Sequence, residues 1–192
     1  MGSRGLLFKR FLHNPTRIGA IAASGPALCR ELVNFLEVDK AAAVAELGPG
    51  TGVVTREVLR QKSAATRFFA VELDPAICTE FRKVLPEVKL YNANACELDK
   101  LCSQEGISEL DAVVCGLPWA AFPEDLQRSI LNALLKSLKP GGKFTTFAYL
   151  QGLILPAGRR FRHLLDEHFS SVGRSRVVWN NLPPAITYQC IK

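Results

Sequence analysis

Three glycines alternate with other residues in Glu46-Leu47-Gly48-Pro49-Gly50-Thr51-Gly52, a spacing that lets a tight turn bring its backbone close to a ligand. Turns of this kind serve dinucleotides, mononucleotides and adenosine-bearing methyl donors, so the neighbouring residues must discriminate. The pattern is E-x-G-x-G-x-G rather than G-x-G-x-x-G, which disfavours NAD. No Lys-Ser/Thr follows to grip a β/γ-phosphate, which excludes a P-loop. Glu46 would repel a pyrophosphate and suits a ligand that carries an ammonium group. A second acid, Glu72, is suited to a pair of ribose hydroxyls. S-Adenosylmethionine carries a ribose, a sulfonium and an ammonium, satisfies both acids, and is the expected cofactor. A glycine-rich turn with incidental acids is the plainer reading. Asn94 stands where the carboxyl edge of a sheet would meet adenine, able to accept from the exocyclic amine and donate to a ring nitrogen. Its plainer reading is a turn residue. Thr51, Leu73 and Ala95 flank these positions and complete the expected cofactor site.

The acceptor side is Cys115-Gly116-Leu117-Pro118-Trp119-Ala120-Ala121-Phe122-Pro123. Many enzymes that methylate amines carry Asn/Asp-Pro-Pro-Tyr-like residues at such a lip, where the polar residue accepts from the amine and the aromatic one stacks on a flat base. Here Leu-Pro-Trp is kept, but Gly116 stands where the polar side chain would be. A nucleobase amine would lose its main acceptor, whereas a flexible aliphatic amine needs chiefly proximity and a water-poor pocket. Tyr149 is the candidate general base, with a buried sheet tyrosine as its plainer reading. No metal site is expected: the six cysteines (29, 78, 96, 102, 115 and 190) contain no C-x-x-C pair, which fits reduced, mostly buried thiols. His13, His163 and His168 show no ligand or triad spacing and read as structural.

The elements that must position these residues alternate. Residues 43–48, 67–72, 88–93 and 110–115 read as strands. Helices are expected over 52–61, from Asp74-Pro75 to about Leu85, and over 124–138. Lys139-Pro140-Gly141-Gly142 then stops the last helix and starts a fifth strand, KFTTFAYL. A helix over 158–168 and two strands, SSVGRSRVVW and AITYQCI, close the chain; with no helix between them, those strands should pair antiparallel at one edge. Ahead of the alternation, Ser24-Gly25-Pro26 opens a helix through about Leu36. The expected fold is a Rossmann-like doubly wound α/β sheet of about seven strands, mostly parallel with an antiparallel edge pair, plus N-terminal helices. One domain over 1–192 is expected, with residues 1–40 as an N-terminal cap.

Composition agrees with this frame. With 48% apolar and 22% charged residues the chain of 192 can bury a core, which excludes disorder as its main state. Lys9, Arg10 and His13 interrupt the apolar stretch near the N-terminus, so no secretory signal is expected. The longest uncharged run, between Lys143 and Arg159, is shorter than the roughly 20 residues of a spanning helix.

Taken together, the sequence resembles the soluble bacterial type of phospholipid N-methyltransferase, which converts phosphatidylethanolamine towards phosphatidylcholine. The matching residues are Phe11-Leu12-x-Asn14-Pro15 with Gly19-Ala20-Ile21, ELGPGTGVVT, GLPWAAFP, PGG with FTTFAY, and Asn181-Leu182-Pro183-Pro184-Ala185. The loop is shared by all class I methyltransferases and by ribosomal RNA adenine dimethylases. Two departures stand out: Asn94 replaces a more usual Asp, and Ala23-Ser24-Gly25 replaces a Pro-Ser-Ser-like stretch. The resemblance implies that Gly48, Gly50 and Gly52 shape the cofactor loop, Glu46 lies under the methionine end, Glu72 binds ribose and Asn94 meets adenine. Gly116, Leu117, Pro118 and Trp119, with Tyr149, would line the amine pocket. It also implies methyl transfer to the amine of phosphatidylethanolamine or its methylated forms.

Residues 3–13 then gain a use. Leu7, Phe8, Phe11 and Leu12 could lie in a bilayer interface while Arg4, Lys9 and Arg10 meet anionic headgroups; packing on the domain is the other reading. Arg159, Arg160, Arg162, Arg174 and Arg176 form a second basic group. The formal charge of +6 divides between these two regions, +3 over residues 1–40 and +3 over 159–176. The expected location is cytoplasmic and peripheral on the inner face of the membrane, with no dedicated nucleic-acid module. Two alternatives stay open: an RNA adenine N6-methyltransferase, and a non-catalytic module that binds cofactor or membrane.

Overall fold

Five consecutive side chains of AVAEL are buried, the signature of a strand covered on both faces, and they form β1, Ala43–Leu47, inside a seven-stranded sheet. The computed structural model describes residues 25–192. Its helices are α1 (Pro26–Asn34), α2 (Val53–Gln61), α3 (Pro75–Val84), α4 (Leu98–Gln104), α5 (Glu124–Ser137), α6 (Leu150–Leu153) and α7 (Pro156–His168). The remaining strands are β2 (Arg67–Glu72), β3 (Lys89–Asn92), β4 (Leu110–Cys115), β5 (Leu138–Tyr149), β6 (Ser171–Arg174) and β7 (Ala185–Ile191). The order is β3-β2-β1-β4-β5-β7-β6. Strands β1 to β5 pair in parallel, and β7 is antiparallel to both neighbours. The expected doubly wound sheet with an antiparallel edge pair is therefore the observed one. Strand order reverses between β1 and β4, and the carboxyl ends at such a switch point form a ligand crevice.

Each face of the sheet is covered. On one, Leu98, Ile130, Leu134, Phe161 and Leu165 from α4, α5 and α7 pack on Ala45, Leu47, Val113 and Cys115. On the other, Leu28, Leu32 and Val33 of α1 and Val54 and Val58 of α2 cover Val44, Ala112 and Val114. Helix α3 covers Ala70 and Leu90 with Cys78 and Phe81. Asp74 caps α3 as its sequence predicts, its Oδ1 accepting from the backbone N–H of Ala76 at 2.8 Å and Ile77 at 3.3 Å.

The junction after α5 differs from expectation. Lys139–Gly142 does not separate α5 from the fifth strand but lies within β5 as a bulge: Leu110 pairs with Leu138, then Ala112 with Lys143. The bulged backbone bonds to the C-terminus instead of β4, Gly141 N–H to the Lys192 carbonyl at 2.8 Å and Lys192 N–H to the Gly142 carbonyl at 2.9 Å. Helix α4 and the one-turn α6 have no expectation behind them, and the strand expected over SSVGRSRVVW is shorter, with only Ser171–Arg174 laddered and Val178 bridged singly to Ala185. Residues 3–13, with Arg4, Leu7, Phe8, Lys9, Arg10 and Phe11, lie outside the described residues. Among the described residues no helix is long and apolar enough to cross a membrane.

Candidate active site at the carboxyl ends of the strands

The glycine loop leaves β1 at Leu47 and enters α2 at Gly52. Gly48, Gly50 and Gly52 have φ of 70°, 55° and 79°, the left-handed region that glycine occupies without steric cost. Their surroundings differ. A Cβ on Gly52 would come within 2.5 Å of Leu85, so this glycine lets α2 close onto the end of α3. A Cβ on Gly50 would meet nothing within 4 Å, so the crown of the loop presents backbone to open space. The loop is tied at both sides by Gly48 N–H to the Val71 carbonyl (2.9 Å) and Gly116 N–H to the Leu47 carbonyl (2.8 Å).

The two predicted acids sit where the loop can use them. Glu72 ends β2, is nearly buried, and its Oε1 accepts from Asp74 N–H at 3.0 Å. Burial raises its pKa, opposed by the backbone N–H groups of Asp74, Gly50 and Leu73, so the carboxylate lies against the loop crown. Glu46 is 1% exposed and its Oε2 has no hydrogen-bond partner. Burial pushes its pKa to about 8, with the Thr55 hydroxyl opposing the rise and the charge of Glu72 adding to it. A buried carboxyl with one oxygen unpartnered under a ligand loop is costly unless a ligand meets that oxygen.

At the end of β3, Asn94 uses its Oδ1 to accept from Cys96 N–H at 2.9 Å, capping a short 3-10 turn over Ala95–Glu97. That occupies one of its polar atoms and leaves the amide nitrogen for a ligand. Sequence reasoning missed Asn92. Its Nδ2 donates to the carbonyls of Glu72 (3.1 Å) and Leu73 (2.8 Å), fixing the backbone that aims the Glu72 carboxylate. The N-x-N spacing at a strand end carried that signal, since residues two apart share a face.

The lip after β4 divides. Gly116 packs backbone to backbone on the loop: a Cβ there would stand 2.5 Å from the Gly48 carbonyl oxygen. Gly116 and Pro118 are half-buried, while Leu117 and Trp119 are buried. Trp119 is placed in the core rather than on an open pocket wall. Its ring stacks on Phe161 at 4.2 Å and 13°, and its Nε1 donates to Thr146 Oγ1 at 3.0 Å. Three aromatic neighbours and one hydroxyl partner leave no free face for a substrate. Tyr149 ends β5 on the same sheet face as Glu46, edge-on to Phe147 at 5.2 Å. Its buried hydroxyl has no partner and burial raises its pKa.

The fold thus brings Glu46, the three glycines, Glu72, Asn94, Gly116 and Tyr149 to one rim. S-Adenosylmethionine fits this set. The unpartnered Oε2 of Glu46 offers a place for an ammonium, the loop crown has room for close approach, and Glu72 offers acceptor oxygens for hydroxyls.

Known proteins agree. The family described as a methyltransferase domain matches residues 44–142, from β1 to the bulge in β5. An ornithine lipid N-methyltransferase from Singulisphaera acidiphila is 31% identical over 192 residues, covering 96% of this chain and 94% of its own. Among solved structures, an O-methyltransferase from Bacillus cereus in complex with SAH superposes with a TM-score of 0.73 at 14% identity, covering 100% of this chain and 92% of that one. The O-methyltransferase TomG from Streptomyces achromogenes, solved with SAM, gives 0.70 at 18%, covering 100% and 91%. These two likenesses show the fold. The family match across the strands that carry the loop, both acids and the lip places the chain among the class I S-adenosylmethionine-dependent methyltransferases.

Proposed function

We propose that the chain methylates the amine of an amino lipid, phosphatidylethanolamine and its methylated forms or an ornithine-bearing lipid, at a membrane surface. The observation that carries this reading is the likeness, over nearly the whole of both chains, to a protein named for methylating the amine of a lipid. The lip supports it. Gly116 has no space for a side chain, so no Asn or Asp can stand there to receive a nucleobase amine. The acceptor must supply its own nucleophilicity, as an aliphatic amine does.

When bound, S-adenosylmethionine supplies a methyl group on an electrophilic sulfonium. Glu46 would face its ammonium, Glu72 its ribose hydroxyls, the Gly48–Gly52 backbone its central portion and Asn94 its adenine. The Gly116–Pro118 backbone and Tyr149 would border the amine. The contribution of these residues is alignment and exclusion of water. An aliphatic ammonium must lose its proton first, and a water-poor border lowers its pKa by disfavouring the charged form. The Tyr149 phenol, raised by burial, stays protonated near neutrality. Its hydroxyl therefore serves to orient the amine rather than to remove its proton.

The test is transfer of labelled methyl from S-adenosylmethionine to vesicles containing phosphatidylethanolamine or ornithine lipid, with RNA as the competing acceptor. Label in either lipid is expected, and the panel separates the two headgroups. Label in RNA but not in lipid would replace this reading by an RNA adenine methyltransferase. Cofactor binding without transfer to any acceptor would make the chain a binding module.

A further inference from the structure

Among the described residues, the large apolar side chains that stand exposed are Val84, Ile154, Leu155, Trp179 and Leu182. Four of these five lie on two segments that hang from one end of the β5–β7 ladder. Tyr149 at the end of β5 pairs with Ala185 at the start of β7, and Leu150 N–H donates to the Pro184 carbonyl at 3.0 Å. Ile154 and Leu155 follow directly on α6. Trp179 and Leu182 stand five and two residues before Pro184. Ile154 is 68% exposed, Trp179 72% and Leu182 82%. Scattered apolar side chains are ordinary on a protein surface, but a cluster marks an interaction site.

The outward pose of Leu182 is built, not slack. Its neighbour Asn181 is 3% exposed, accepts from Gly25 N–H at 2.8 Å and donates to the Pro183 carbonyl at 2.7 Å. Anchoring Asn181 inward turns Leu182 outward.

The charge around these tips has one dominant sign. Arg159 and Arg160 lie near the start of α7, separated from Leu155-Pro156 by Ala157-Gly158. On the other segment Arg176 precedes Trp179, and both line a groove of about 430 Å³ that Arg30 of α1 also lines. Acids near these arginines are Glu31, in the groove, Glu57, whose carboxylate feels the charge of Arg30, and Glu124, 3.8 Å from Arg160. Apolar tips inside a collar of guanidiniums are the complement of an anionic bilayer, whose phosphates meet the arginines while the tips enter the interface. A second copy seated on the same patch would bring a like-charged collar against this one.

Position adds a reason. Thr146 of β5 pairs with Cys115 of β4, and Cys115 with Leu47 of β1. The tips therefore stand on the rim that bears the glycine loop and the lip.

We propose that residues 150–156 and 179–184 form a docking face for an anionic lipid bilayer, with Ile154, Leu155, Trp179 and Leu182 entering the interface. This rests on the amino-lipid reading above and deepens it: a face on the active-site rim offers a headgroup amine to the lip without lifting the lipid from the membrane.

The full chain carries its own reporter. Its two tryptophans are Trp119, stacked in the core, and Trp179, on the tip. Adding phosphatidylcholine vesicles that contain phosphatidylglycerol should shift the emission to the blue, and Trp179→Phe should abolish that shift. The double variant I154D/L182D should lower partitioning onto those vesicles by about tenfold or more. Its transfer to a micelle-dispersed short-chain amino lipid should stay within about twofold of the parent. Unchanged vesicle partitioning of I154D/L182D overturns the proposal. If that variant instead changes the sedimentation of the protein with vesicle binding intact, the face belongs to a second copy. Loss of short-chain transfer together with vesicle binding would make the face part of the substrate site, which also overturns it. The two readings fail separately: a parent chain that binds vesicles through this face but methylates no amino lipid keeps the docking face and loses the substrate assignment.

Discussion

Glu46 concentrates the chemistry of the cofactor site in one carboxyl group. Its folded-state pKa of about 8 lies above the ordinary glutamate value, because burial disfavours the charged form. The folded chain therefore holds a proton that the unfolded chain releases between about pH 4.5 and 8. The unfolded state binds fewer protons across that window, so stability of the unliganded protein falls as pH rises, by at most about 1.4 kcal/mol per unit. Glu72, also raised by burial, adds a slope of the same sign. A cationic cofactor reverses the balance at Glu46 by favouring the carboxylate, so its binding near pH 7 should release a proton. Calorimetry in buffers of different ionisation enthalpy would detect that release. Glu46→Gln should flatten part of the pH dependence of the melting temperature between pH 5 and 8, abolish the proton release and weaken S-adenosylmethionine by about tenfold or more, the scale of a charge-assisted bond. A variant with the parent's pH slope and proton release would show that Glu46 is already ionised and paired. The acid was legible in the sequence because its spacing to the glycines is fixed. Its orphaned state was not, because that depends on α1 and α2 closing over it from elsewhere in the chain.

At the scale of elements, the lip after β4 is a joint as much as a pocket wall. Trp119 ties the lip to β5 through Thr146 and to α7 through Phe161, and its carbonyl accepts from Gln127 Nε2 of α5 at 2.7 Å. Its sequence position after Leu-Pro suggested an aromatic plane for a substrate. The deciding partners, Thr146 and Phe161, are 27 and 42 residues away and no local pattern announces them. Trp119→Phe removes the indole donor and part of the stacked area, and should cost about 1–3 kcal/mol of stability. The KM for the amine should stay within about twofold, since the ring has no face towards a substrate. Denaturant melts and initial rates on the same variant separate the two roles: an unchanged melt with a raised KM would return the ring to the pocket. The central strands and α3 were readable to within a few residues, because the buried runs 43–47 and 110–115 and the Asp74-Pro75 cap are local signals, whereas the short α4 was not anticipated and β6 ends earlier than its apolar run suggested. The bulge over Lys139–Gly142 was not, since a Pro-Gly-Gly run reads as a turn until a distant strand end, here Lys192, satisfies its backbone. Asn92 was passed over for a related reason, as its two acceptors lie at the end of the neighbouring strand and one residue past it.

For the whole molecule, the distribution of charge matters more than its sum. The formal +6 resolves into +3 over residues 1–40 and +3 over 159–176, so the residues between and after them, which carry the loop, both acids and the lip, are neutral in balance. The exposed arginines that would steer the chain to a surface and the buried acids of the cofactor site are different residues, so steering and chemistry should separate in kinetics. Salt screens exposed charges over a distance of about 10 Å at 0.1 M and about 3 Å at 1 M. Raising salt should therefore increase the apparent KM for an amino lipid presented in anionic vesicles, by about tenfold between 0.05 and 0.5 M if two to three arginines engage phosphates at about 1 kcal/mol each. The kcat should stay constant, because Glu46 and Glu72 are buried and bulk ions do not screen them. With the same lipid dispersed in neutral micelles, both parameters should be independent of salt. A parallel fall of kcat in both presentations would place the salt-sensitive charges inside the active site. A vesicle KM indifferent to salt would leave the apolar tips at Ile154 and Leu182 as the whole of the attachment.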